Sequence, residues 1–148
     1  MRPTSIIRFE RIYLVSIVIS VVQTALSFDA NRAELARDPT SIQLGLGGGF
    51  LAATMAVGVG LVLLLWFFVA HRASNVAKWI LVPFTALGLL MTIASFANGS
   101  AGGGIQMILM LSSTALEIAA LYFLFQRDAR DWLASKGRVG AVDPTVFD

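Results

Sequence analysis

Four apolar runs dominate this sequence of 148 residues, at about 12–28, 46–70, 76–97 and 105–125, and only short links separate them. Each run is roughly 17 to 25 residues long, the length at which a helix crosses the hydrocarbon core of a bilayer. That length predicts an all-α fold: an integral membrane antiparallel four-helix bundle in a single domain. The charge content agrees, since 14% of the residues are charged against about 25% in soluble domains. A cleavable leader would need a small-residue site near Ala25 to Ala30. Bulky Phe28 followed by Asp29 argues that the first run is kept as a span.

The runs are not uniformly apolar. In the first, Ser16, Ser20, Gln23, Thr24 and Ser27 recur at helical spacing, so one polar stripe should face the bundle interior. The second begins glycine-rich and carries Ala52, Ala56 and Gly60 four residues apart, a small-residue face that admits a neighbouring helix closely. The third holds Thr85, Gly88, Thr92 and Ser95 on one stripe, and Pro83 two turns in should loosen it locally.

Between the first two runs, a short helix is expected over 31–37, with Asn31 as its cap and Asp38-Pro39 as its stop. Thr40 or Ser41 is a candidate cap for the next helix, and Asn75 for the third span. The segment NGSAGGG at 98–104 reads as an uncharged turn. After the fourth run the sequence QRDARDWLASK can continue as helix, with Trp132 and Leu133 at a membrane surface and Gly137 as a stop. The tail at 138–148 reads as extended, within a cytoplasmic extension at 126–148.

Charge asymmetry sets an orientation. Arg2, Arg8, Arg11, Arg72, Lys78, Arg127, Arg130, Lys136 and Arg138 fall on one side of the four spans; Arg32 and Arg37 fall on the other. The positive-inside rule then puts both termini in the cytoplasm, and Trp66, Trp79 and Trp132 at the cytoplasmic interface.

One acidic residue, Glu117, lies deep in an apolar run, about 12 Å from the cytoplasmic end of its helix at 1.5 Å per residue. A carboxylate at that depth must face the bundle, find partners or stay protonated. Matching by depth and helix face gives a candidate binding cluster of Glu117, Ser113, Ser20, Gln23 and Thr85. That cluster suits either proton exchange or a cationic ligand; the plainer alternative is a hydrogen-bonded glutamate that fixes helix packing or pairs with another subunit.

Other chemistry finds little support. There is one histidine, His71, and no cysteine, so no metal site or cofactor is expected within the chain. His71 reads as an interfacial anchor. His71 and Glu117 lie at different depths, and no serine sits in a nucleophile motif, so no catalytic residue is assigned and the protein is expected not to be an enzyme. The glycine-rich stretches lack the strand-turn-helix setting of a phosphate loop. Nothing points to nucleic acid. The basic face suits anionic lipid headgroups.

Two segments, HRASNVAKWILVPF at 71–84 and ALYFLFQRDARDWL at 120–133, resemble stretches of small, uncharacterised four-helix proteins of bacterial inner membranes. The resemblance implies a four-helix membrane protein and brings no activity with it. Taken together, these readings point to a non-enzymatic, multi-pass protein of the inner membrane in contact with the lipid bilayer. It would serve as an accessory, scaffold or interaction protein that self-associates or joins another membrane protein. The alternative is a small oligomeric transporter or channel with Glu117 as a proton or cation site.

Overall fold

The computed structural model describes residues 2–99 and 103–137, and every regular element among them is helical. The expected extended tail at 138–148 and the middle of the turn at 98–104 lie outside the described residues. Six helices follow in order: α1 (Thr4–Leu35), α2 (Pro39–Gln43), α3 (Gly48–Ala70), α4 (Asn75–Ala97), α5 (Ile105–Leu124) and α6 (Arg127–Ala134). By length and composition, α1, α3, α4 and α5 are each able to cross a membrane.

α1 corrects the expectation of a separate helix over 31–37. It runs unbroken for 32 residues, because nothing between Phe28 and Leu35 is a glycine or proline. A mid-helix asparagine costs under ~1 kcal/mol, which is less demanding than ending one helix and nucleating another. The chain breaks at Asp38-Pro39, as the proline requires. Asp38, rather than Thr40 or Ser41, is the cap that follows. Its carboxylate accepts from the Ser41 amide at 2.9 Å and the Ser41 hydroxyl at 2.6 Å. These bonds hold the Asp38 carboxyl below its ordinary range.

Ser74, not Asn75, caps α4: its hydroxyl accepts from the Ala77 amide at 3.2 Å, and Asn75 is the first helical residue. α4 continues through Pro83 without interruption. The fourth span does not run on into the C-terminal segment. The chain leaves helical geometry at Gln126 and restarts as the separate α6. α6 ends in a left-handed turn, with Lys136 at φ 51° and Gly137 at φ 81°. The Gly137 amide donates to the Trp132 carbonyl at 2.9 Å, the closing bond of a Schellman-type end with a lysine where glycine is usual.

The four long helices form a ring in the order α1, α3, α4, α5, with the most extensive packing between α1 and α5. Ring neighbours are antiparallel. The start of α1 meets the start of α6 through Ser5 and Asp128. Trp79 at the start of α4 meets Phe125 just past α5 at 6.0 Å, and farther along Thr92 bonds Thr114 at 3.2 Å.

The core is confined to one end of this ring. Ile6, Phe9 and Tyr13 of α1, Leu65 and Val69 of α3, Leu81 of α4, and Ala120 and Leu124 of α5 are buried there. α6 closes that end by tucking Trp132 and Leu133 beneath it, at 4% and 2% exposure. The expectation that these two side chains lie free at a membrane surface is therefore corrected. An eight-residue amphipathic helix has no stability alone and takes its order from the apolar face it buries. Lys78 is also buried at this end, with Nζ 5.0 Å from the Phe125 ring and 5.3 Å from the Trp79 ring. Toward the far end α1 and α3 leave a cleft between them, and Leu26, Val57, Leu61, Leu90 and Ile108 are exposed.

Candidate functional site

The open half of the bundle contains a cleft between α1 and α3, with Glu117 of α5 at its base. Ile17, Ser20, Val21 and Thr24 form one wall, and Met55, Gly58, Val59 and Val62 form the other, around about 270 Å³. The cleft runs on into a larger, apolar groove of about 680 Å³ that shares Val21, Thr24, Met55 and Val59 and adds Phe28, Ala56, Gly60 and Leu63. Glu117 is the one ionisable residue lining the smaller cleft, half-buried by the surrounding helices.

Each wall follows from local sequence. On α1, residues four apart share a face, so Ser16, Ser20 and Thr24 stack along one edge. Ser16 lies at the closed end, fully buried, and its hydroxyl donates to the Tyr13 carbonyl at 2.8 Å. Ser20 and Thr24, one and two turns farther, reach the point where α3 has diverged, and there they line the cleft. Glu117 has α4 behind it. A β-carbon built on Gly88 would lie 3.7 Å from Glu117 Oε2, so the missing side chain at Gly88 leaves the carboxylate room to sit between α5 and α4.

Of the five residues expected to cluster, the fold brings Glu117 and Ser20 to the same cleft. Gln23, Thr85 and Ser113 are not among its lining residues. Gln23 turns off the edge that Ser20 and Thr24 share, because 100° of helical rotation separates it from Thr24. Thr85 is buried on α4 nearer the closed end, and Ser113 donates to the Met110 carbonyl of its own helix at 3.0 Å. Among the described residues, no hydrogen bond joins Glu117 to Ser20, Gln23, Thr85 or Ser113.

Near Glu117, the polar contact that joins α4 to α5 is Thr92 with Thr114, and Thr114 also donates to the Met110 carbonyl at 2.9 Å. Thr114 stands three residues before Glu117, a spacing that marks it as a face neighbour. Gly88 and Thr92 both belong to the α4 stripe, and their value lay in the pairing with α5. The small-residue face of α3 also differs from expectation. Among the described residues, nothing lies within 4 Å of a β-carbon added at Gly58 or Gly60. Ala56 and Gly60 border the groove instead.

Among the described residues, no three His, Cys, Asp or Glu side chains gather as a metal site. The cleft therefore presents one carboxylate, two hydroxyls and an otherwise apolar surface. Searches against protein-family models, curated proteins and solved structures give no match to the chain.

Proposed function

We propose that the chain is a four-pass protein of the bacterial inner membrane with both termini cytoplasmic. It acts without catalysis, as an accessory or interaction protein whose partner places a membrane helix in the cleft between α1 and α3. The observation that carries this reading is the cleft's mixed chemistry. In a bilayer, an opening lined by Ser20, Thr24 and Glu117 would turn polar groups toward acyl chains. Polar groups at such depth take protein partners instead. The adjoining Ala56 and Gly60 edge lets a partner's backbone come close, as small residues do in membrane helix pairs. The nine-to-two distribution of Lys and Arg supports the orientation.

The chain has no cysteine, so single-cysteine variants report contacts without background. Gly60→Cys or Thr24→Cys in native membranes should form an oxidative cross-link to a second chain, while Leu90→Cys, exposed on α4, should not. Equal cross-linking from all three positions, or none from any, would remove the interaction reading.

A second reading is favoured by the position of Glu117 over Gly88, with a route to the open groove. In it the protein is a small oligomeric transporter or channel, and Glu117 is its proton or cation site. Proteoliposome flux that is present in wild type and abolished by Glu117→Gln would support transport. No flux from partner-free wild type would count against it.

A further inference from the structure

We infer that a hollow at the closed end of the bundle is a binding site for a phosphate-bearing anion, the chemistry shared by an anionic lipid headgroup and free phosphate. The hollow encloses about 560 Å³ and is bounded by Arg2, His71, Arg72, Trp132, Lys136 and Gly137, together with Ala73. These residues come from three distant parts of the chain: the lead-in to α1, the link between α3 and α4, and the end of α6. The volume is in the range of small-ligand pockets, about 300–1,000 Å³.

The charge is one-sided. Among the described residues, Glu10 is the acid that reaches this region; it pairs with Arg2 at 2.9 Å and approaches His71 at 3.9 Å. Arg72 and Lys136 form no ion pair within 4.0 Å among the described residues. Among the described residues, a guanidinium and an ammonium thus face one concavity with donors uncommitted to carboxylates. Arginine offers a planar fork and lysine a point charge, and both suit phosphate oxygens.

The frame is built rather than gathered by chance from mobile side chains. Among the described residues, Ala73 and Lys136 are the non-glycine positions with positive φ, at 48° and 51°, and both belong to this hollow. Side-chain-bearing residues hold that conformation where surrounding structure imposes it. Gly137 lies close to Trp132 and Ala73: a β-carbon on it would stand at ordinary contact distance, 3.6 Å from Trp132 Nε1 and 3.7 Å from Ala73 Cβ. The end of α6 is therefore seated on the α3–α4 link, which sets Lys136 and Arg72 around a common space. His71 is itself held, stacked on Phe67 at 5.3 Å and edge-on to Trp66 at 5.2 Å. The hollow opens where the apolar stretches of α3 and α4 end, the level at which a headgroup would stand. That last point concerns the lipid source alone and rests on the membrane reading; the anion site does not.

The test titrates the purified full chain, in a neutral detergent, with short-chain phosphatidylglycerol and separately with inorganic phosphate. Tryptophan fluorescence is the readout, since Trp132 lines the hollow. The double variant Arg72→Gln/Lys136→Gln alters two exposed side chains, and binding should weaken about tenfold, the scale of one lost charge-assisted hydrogen bond. Arg11→Gln/Arg127→Gln removes the same charge from the same end outside the hollow and should leave binding unchanged. The charge-conserving Arg72→Lys should retain most of it, which separates lost binding from lost folding. Saturation by the lipid alone with this residue dependence supports the site with a headgroup as its occupant. Saturation by phosphate with the same dependence supports it with a free anion. Equal losses from the two double variants, or none from either, would overturn the proposal.

Discussion

The Asp128 carboxylate caps α1 through Ser5, a residue 123 positions away in the chain. The Ser5 hydroxyl donates to Oδ1 at 2.7 Å and the Ser5 amide to Oδ2 at 3.3 Å. α1 has Pro3 in its own capping position, with no side chain to satisfy its first amides, so α6 supplies the missing acceptor across the fold. A carboxylate at a helix N-terminus also meets the positive end of the helix dipole.

This contact has a pH signature. The Ser5 hydroxyl, followed by the Ser5 amide, holds the Asp128 carboxyl below the usual value of 3.8. A depressed folded-state value means the stabilisation is complete above the unfolded-state value and is lost as pH falls through the folded one. Asp128→Ala should lower stability at pH 7 by about 1 kcal/mol, the scale of a lost cap, for an acid open to solvent. Thermal unfolding of wild type and variant in detergent should differ at neutral pH and converge as pH falls through the lowered folded-state value of Asp128.

α6 is held by burial more than by this one acid. Trp132 is 4% exposed, and Trp132→Ala should cost about 3 kcal/mol. Protease cleavage within 127–134 should accelerate in that variant. Cleavage at an unchanged rate would show that Trp132 does not hold the helix.

The Thr92–Thr114 bond ties α4 to α5 at 3.2 Å. A double-mutant cycle with Thr92→Val and Thr114→Val should give a coupling of about 0.6 kcal/mol, the usual worth of such bonds in membrane proteins. Additive effects in unfolding would place the two threonines apart.

Gly88 leaves room for Glu117. Gly88→Ala puts a methyl group at ordinary contact distance, 3.7 Å from Oε2, and should leave Glu117 reactivity toward an apolar carbodiimide unchanged. Gly88→Leu should push the carboxylate into the cleft and raise that reactivity. Identical labelling in both variants would mean Glu117 does not rest against α4.

Much of this architecture was legible from residue order alone, and the reasons are local. Length and hydrophobicity mark the four long helices, because a helix satisfies its own backbone and needs only enough apolar residues in sequence. Asp38-Pro39 marks a break for an equally local reason. The stripe on α1 announces which edge carries hydroxyls, and Glu117 stands out by being charged where its neighbours are not.

Where those faces meet was decided by the tertiary structure. A small-residue face such as Ala56 and Gly60 states only that close approach is allowed, and among the described residues no helix takes it up. Ser20 and Thr24 reach the cleft while Gln23 does not, because the divergence of α1 from α3 selects one edge of a broader polar stripe. The cap on α1 comes from α6, and the basic hollow joins three segments that no sequence window contains together. Such long-range pairings depend on helix crossing and end-to-end packing, which are properties of surfaces brought together. The sequence alone thus determined four apolar helices and one misplaced acid. Their antiparallel ring, its closed and open ends, and the position of Glu117 between Gly88 and the cleft were set by tertiary packing.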